Sequence, residues 1–333
     1  MTTPVVDVRI DGRPQGPGVR TDLVEVVLDD HLELVGSARL TWALGRGVVV
    51  PELGTEVEVA WASGPRWRGR VTAWRLVEGH GPGRLVATAL DARARLHAEV
   101  RSRAFEEATD GQIAARVLQE AGVEVGEVAS TAPTHPHVLQ RGETDLDFLR
   151  RLAARHGLAV VCREGRVGWT HPDPGVGPVQ VDGDRLETFE LGVDAQGVPA
   201  GLRVQGWDPR AGERVAGESS AADVAATGGG RHVLDVVREL GRSVRVVGDA
   251  AVEHADLARA VAVAELARLA RGVVRGELQT SLLPDCLPGG GVRVRRLRPA
   301  MDVEGLIVGV THRWGRGGAT STRVRFCSTS LPR

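Results

Sequence analysis

The 333-residue chain is predicted to be mainly β with an α+β insert, two similar β-barrels flanking a small helical unit. Three observations predict this. Short β-branched runs punctuated by Gly, Pro and Asp fill residues 4 to about 92. The apolar period then changes to that of helices. Near the end the earlier strand pattern returns.

The first strands are read at Val5–Ile10, Val24–Leu28, Ser37–Trp42, Glu56–Trp61, Arg70–Leu76 and Arg84–Leu90. Glu56-Val57-Glu58-Val59 alternates charged and apolar residues, as a half-buried strand does. The Gly-rich link at 78–83 separates the last two runs. Six short strands of this kind suit a small barrel or sandwich, placed at 1–98.

The period changes at Thr109-Asp110-Gly111-Gln112, a hydroxyl followed three residues later by Gln, the signature of a capping box. Ile113, Ala114, Val117, Leu118 and Ala121 then share one helical face, and Gly122 is placed to end it. A second helix starts at Thr144-Asp145, buries a stripe of Leu146, Leu149, Leu152 and Ala153, and stops at Gly157. Residues 158–162 and 166–169 read as a hairpin turning at 163–165. The α+β insert is placed at 99–178.

Strand signal resumes over 186–192 and 201–208. Residues 211–230, rich in Gly, Ser and Ala, read as a loose and mobile stretch. A long Ala-rich helix is expected from Val252 to Arg271, with Ala255, Ala258, Ala262, Leu266 and Leu269 along one stripe. The second barrel is placed at 179–333 and carries a helical insertion at about 211–271.

The repeat carries the most weight. Gly54-Thr55-Glu56-Val57, Gly69-Arg70-Val71-Thr72 and Gly83-Arg84-Leu85 are matched by Gly290-Gly291-Val292-Arg293, Gly305-Leu306-Ile307-Val308 and Gly318-Ala319-Thr320. Each series is an alternating strand, a linker, a Gly-led strand, a Gly-rich turn and a further strand. A duplicated fold has a consequence for assembly. Three copies of a two-barrel chain make six barrels, a ring that meets a sixfold partner on one side and a threefold partner on the other.

Composition narrows the function classes. Acids and bases nearly cancel at a net charge of -1, against a protein built to bind phosphate backbones. Lys, Asn and Tyr are absent, as a G/C-rich bacterial genome explains, so the Arg293, Arg295, Arg296, Arg298 run reads as a solvated strand face. Cys162, Cys286 and Cys327 are far apart and suggest neither disulfides nor zinc; they suit a reducing cytoplasm. The N-terminus lacks a signal-peptide pattern, and no apolar run is long enough to span a bilayer.

Candidate chemistry is sparse. His135 and His137, with His171 beyond, invite a metal reading, but Pro136 suits a loop and no acidic or Cys partner is expected nearby. Glu106-Glu107 and Asp29-Asp30 are adjacent pairs, not facing carboxylates. Gly228-Gly229-Gly230 lacks the Lys-Ser/Thr of a phosphate loop. Trp61, Trp67 and Trp74 suit barrel core or subunit contacts. No catalytic, metal or cofactor site is expected.

Segment 137–158 resembles a stretch typical of phage late control protein D and the N-terminal hub region of VgrG. There a Gln precedes an acidic Ser/Thr-Asp-x-x-Phe-Leu helix. Gln140, Glu143, Thr144, Asp145, Phe148, Leu149, Leu152 and Gly157 occupy those places, with structural roles. Thr109 to Gly122 resembles the family's preceding helix. Leu283-Pro284 and Leu287-Pro288-Gly289 resemble its Pro-Gly turn, and Val310-Thr311-His312 with Gly317-Gly318 its closing hairpin. The resemblance covers most of the chain in order, loosely from Ala211 to Val247.

The resemblance implies tube-type barrels and a non-enzymatic baseplate hub of a contractile injection system, trimeric and pseudo-sixfold, joining inner tube to spike. The implied partners are itself, a spike protein, the inner tube protein and baseplate wedge proteins, with no nucleic acid and no membrane in the resting particle. Because the chain stops at Arg333 without a β-spike, the spike is expected on a separate polypeptide. It would be made in the bacterial cytoplasm and end in a phage-like particle. The alternatives are a tail-tip hub of a non-contractile tail and a cell-wall-degrading tail enzyme.

Overall fold

The computed structural model describes residues 6–14, 22–44, 50–61, 66–79, 81, 83–175, 178–249, 251–298, 301–316 and 320–333. The predicted links through His80 and Pro82 and through Gly317-Gly318 fall outside the described residues at those positions, as does Val5. The protein is mainly β with few helices, as expected. Among the described residues no helix is long and apolar enough to cross a membrane.

The first half holds β1 (Val6–Ile10), β2 (Arg13–Pro14), β3 (Leu23–His31), β4 (Ser37–Ala43), β5 (Glu56–Trp61), β6 (Arg66–Val77) and β7 (Arg84–Leu90). Alternation along these strands sends Val26, Leu40, Trp42, Val57, Val59, Leu85 and Ala87 into one core. The short helix α1 (Arg93–Leu96) leads out of β7.

The insert follows, with β8 (Val100–Ala108), α2 (Asp110–Glu120), β9 (Glu124–Val128), β10 (His135–Thr144), α3 (Asp145–His156), β11 (Ala159–Arg163) and β12 (Arg166–Thr170). The capping box forms as its spacing predicts: Thr109 Oγ1 accepts from the Gln112 amide at 3.2 Å, and Gln112 Oε1 from the Thr109 amide at 2.9 Å. The β11–β12 hairpin also forms where expected. The antiparallel pair β8–β10 and the parallel pairing of β12 with β9 had no clear periodic signal.

The second half holds β13 (Val179–Asp182), β14 (Leu186–Val193), β18 (Val274–Ser281), β19 (Gly291–Arg295), β20 (Val303–Gly315) and β21 (Ser321–Ser328). Between β14 and β18 lie β15 (Gly201–Asp208), β16 (Glu213–Ser219), α4 (Val233–Glu239), β17 (Val244–Gly248) and α5 (Ala255–Arg271). Two expectations need correction here. The stretch 211–230 is not loose: β16 pairs with β15, and Thr227 and Gly228 hydrogen-bond Thr329 and Ser330. The insertion is therefore a small sheet covered by helices, not helical alone. Helix α5 starts at Ala255, because Val252 belongs to the preceding turn, where its carbonyl crosses Gly206 too closely for any Cβ. The same helix lies directly on Gly217 of β16, again with no room for a Cβ. Ala258, Ala262 and Leu266 are its buried stripe, whereas Ala255 is exposed and Leu269 half-buried.

The two halves are not separate bodies. Strand β3 pairs with both β4 and β20, so the first half and most of the second run as one thirteen-stranded sheet.

Candidate assembly interface

The duplication read from glycine spacing is present in the topology. In the first half the strand order is β3-β4-β7-β6-β5-β1; in the second it is β14-β18-β21-β20-β19-β13, with strands in the same chain order. The irregularities match as well. The β6–β7 ladder shifts register between Val71 and Ala73, and the β20–β21 ladder shifts between Ile307 and Gly309. The β3–β4 ladder shifts between Leu23 and Glu25, and the β14–β18 ladder between Leu186 and Thr188. Bulges at corresponding places in both halves are features of a shared design, not local accidents. The first strands differ in direction: β1 runs antiparallel to β5, and β13 parallel to β19. The turn alignment also needs adjusting, because the ladders make Arg84 the counterpart of Ser321.

Within the chain the halves meet along a seam where β20 runs antiparallel to β3, from Gly309 opposite His31 to Gly315 opposite Glu25. Val310 and His312 face the core from this seam and are buried. On the opposite face, Arg313 bonds Glu25 at 2.7 Å and Thr311 Oγ1 donates to Asp29 Oδ1 at 3.0 Å. The seam is thus an ordinary sheet pairing, apolar inside and ion-paired outside.

The bulges fix which residues correspond to those in the seam. Ala73 to Val77 of β6 correspond to Gly309 to Arg313 of β20, and Glu25 to Asp29 of β3 to Thr188 to Gly192 of β14. Neither counterpart edge has a strand beside it among the described residues. β6 past Arg70 pairs only with β7, and β14 only with β18. Both edges expose apolar side chains. Trp74 is 47% exposed and Leu76 52%, against 1% for Val310, the counterpart of Trp74; Val193 at the end of β14 is 52% exposed. Unpaired edges bearing large apolar side chains are templates for another strand.

The resemblance residues lie together on β10 and α3. Thr144 caps α3 by accepting from the Asp147 amide at 3.1 Å, and Gly157 ends it at φ 68°. Phe148, Leu149 and Leu152 are core, Phe148 stacking on Phe105 at 5.5 Å. Gln140 and Asp145 are brought together: Gln140 Nε2 donates to Asp145 Oδ1 at 2.9 Å. Arg103 from β8 donates to Gln140 Oε1 at 2.8 Å and to Asp145 Oδ1 at 2.6 Å. Arg103 is invisible to sequence reading because β8 carried no motif.

Contrary to the expectation from sequence, His135 has an acidic neighbour. Its Nε2 lies 3.4 Å from Asp110, which also bonds His156 Nε2 at 2.8 Å. Burial alone would raise the Asp110 pKa; the bonds from His135 and His156 and the Arg155 charge outweigh it and hold the carboxyl well below the usual range. Asp110 begins α2 and His156 ends α3, so this cluster ties the two helices together. Among the described residues no group of three His, Cys, Asp or Glu side chains is placed to hold a metal ion. Trp61 is buried and Trp67 half-buried, leaving Trp74 as the exposed member of that trio.

By fold the chain is similar to a 43 kDa tail protein of prophage MuSo2 from Shewanella oneidensis. The TM-score is 0.74 at 15% identity, covering 97% of this chain and 98% of that one. It is similar to the tail protein from Neisseria meningitidis MC58 at TM-score 0.73 and 14% identity, over 99% and 98% of the two chains. The E. coli c3393 protein, a component of the type VI secretion system, shares the fold at TM-score 0.60 and 15% identity, over 98% of this chain and 76% of that one. No curated protein matches by sequence. The model of the Alg8 N-terminal domain matches residues 67–314, from β6 through most of the second half, and the chain belongs to that family.

Proposed function

We propose that this protein is the baseplate hub subunit of a contractile phage-tail-like injection system, a homotrimeric ring of near-sixfold shape that joins the inner tube to the spike. One observation carries the reading: the free edges of β6 and β14 are the counterparts of the two edges already joined within the chain. Pairing β6 of one copy with β14 of the next repeats the internal seam. Such a head-to-tail contact either closes into a ring or runs on as a filament. Closure at three copies presents six quasi-equivalent units, which suits a sixfold tube on one side and a threefold spike on the other. The fold shared with tail proteins and a type VI secretion component supports this role. The work is mechanical: seat the spike, template the first tube ring and hold the wedge proteins. Assembly in the bacterial cytoplasm and residence in a phage-like particle follow from that role.

The test is the mass of the purified chain in solution, alone and with its spike protein. A trimer is expected, and Trp74→Asp with Leu76→Asp should convert it to a monomer whose own melting is unchanged. A concentrated wild-type monomer would overturn the reading.

A further inference from the structure

The free edges of β6 and β14 carry opposite charge on the face turned away from the core. On β6 this face shows Arg75, exposed and without a hydrogen bond or ion pair among the described residues. It lies opposite Val86 of β7, diagonal to a second cation, Arg84. On β14 the same face shows Glu190, also exposed and unbonded, with Asp194 just past the strand end. Glu190 lies directly opposite Glu277 of β18, and like charges so placed are unfavourable. The cations that share its depression are engaged elsewhere. Arg268 bonds Glu265 at 2.6 Å, Arg325 reaches Asp29 at 3.6 Å, and Arg275 donates to the Gly272 carbonyl at 3.0 Å. Glu277 has Arg323 at 3.5 Å, but Glu190 is left without a cation.

Two kinds of strand pairing would cover the exposed apolar side chains of these edges. In the first, each edge pairs with itself about a twofold axis. Antiparallel pairing of β6 centred on Arg75 sets Trp74 against Leu76, and Arg75 against Arg75 of the second copy. Antiparallel pairing of β14 centred on Gly192 sets Leu191 against Val193, and Glu190 against Asp194. Both oppose like charges.

Head-to-tail pairing in the register of the internal seam does the reverse. Trp74 opposes Val193, Leu76 opposes Leu191, and Arg75 opposes Gly192. Gly192 leaves room for the guanidinium, since a Cβ there would meet only the Arg275 carbonyl, at 4.0 Å. Glu190 and Asp194 then lie on the two diagonals of Arg75. The seam uses one of these diagonals within the chain: Arg313, opposite Val27, reaches past it to Glu25 at 2.7 Å. Carried over to the free edges, that diagonal runs from Arg75 to Glu190.

We infer that Arg75 of one copy bonds Glu190 of the next and that this pair selects head-to-tail pairing over twofold self-pairing, an inference that rests on the ring proposed above. Exposed ion pairs add little affinity, so the work of this one is discrimination. The right contact joins opposite charges and the wrong ones repel. A twofold contact would close at two copies and use up an edge that the ring needs.

The test compares the parent chain with Arg75→Glu, Glu190→Arg and the double swap by analytical ultracentrifugation. Each single reversal should raise the concentration at which trimers half-dissociate by about tenfold or more, and the swap should recover most of that loss. A tagged swap chain should capture untagged swap chains but not untagged parent. Neither side chain bonds anything within its own chain, so all four proteins should melt alike as monomers. Trimers indifferent to the single reversals, or a swap no better than either, would overturn the inference and leave the ring standing. A parent chain that stays monomeric would overturn the ring, and the inference with it.

Discussion

Arg93 is buried with a side chain 2% exposed, and it holds three parts of the molecule at once. It bonds Asp91 at 2.6 Å and Asp30 of β3 at 2.7 Å, and donates to the carbonyls of His31 and, across into the insert, Val160. Burial pushes the Asp30 carboxyl up, more than Arg93 beside it holds it down. Arg93→Met would leave two carboxylates without their cation, at a cost of about 3–5 kcal/mol. Chemical denaturation should show that loss, and adding Asp30→Asn and Asp91→Asn should recover much of it. His312 makes a second residue-scale prediction. Burial pushes its pKa down from 6.5 to about 4, and its Nδ1 meets Thr322 Oγ1 at 3.0 Å. Between those two values the unfolded chain binds a proton that the folded chain refuses. Its contribution is therefore intact above the ordinary histidine range and declines as pH falls through the window, by about 2 kcal/mol at pH 5. Unfolding free energies at pH 7 and pH 5 should differ by that amount more in the parent than in His312→Gln.

Among the elements, α3 was the most legible in sequence. Its cap, its apolar stripe and its Gly157 stop are local signals, each set by residues within a turn or two of where they act. Thr144→Ala should lower stability by about 1 kcal/mol in thermal or urea melts, since the Asp147 amide loses its acceptor. Gly157→Ala, at φ 68°, should cost about as much. What surrounds α3 was not legible. Arg103 reaches Gln140 and Asp145 from β8, and Asp110 meets His135 and His156 from distant positions, contacts that no spacing rule encodes. The inserted sheet was missed for a related reason. β17 is exposed along its whole length, so it never displays a buried face, and the Gly and Ala content of 211–230 marks close packing instead of looseness.

For the whole molecule, the repeat was readable because glycines and alternation mark both copies, but the seam was not, since β3 and β20 meet across nearly the entire chain. That seam gives the assembly a register that can be tested residue by residue. In it His312 lies opposite Leu28. The counterpart of His312 is Leu76 and that of Leu28 is Leu191, so repetition between copies sets Leu76 against Leu191. Directly opposed strand residues bring their Cβ atoms to about 4.5–5.5 Å, close enough for small adjustments to admit a disulfide. The variant Leu76→Cys/Leu191→Cys should therefore oxidise, on denaturing gels, to a ladder that ends at three chains, with the closed trimer as its limit. Leu76→Cys/Gly192→Cys should crosslink poorly, because a one-residue slip turns the partner to the other face. A ladder extending past three chains would mean that the contact repeats without closing at a trimer. Equal crosslinking of both pairs would mean that β6 and β14 do not meet in the register of the internal seam.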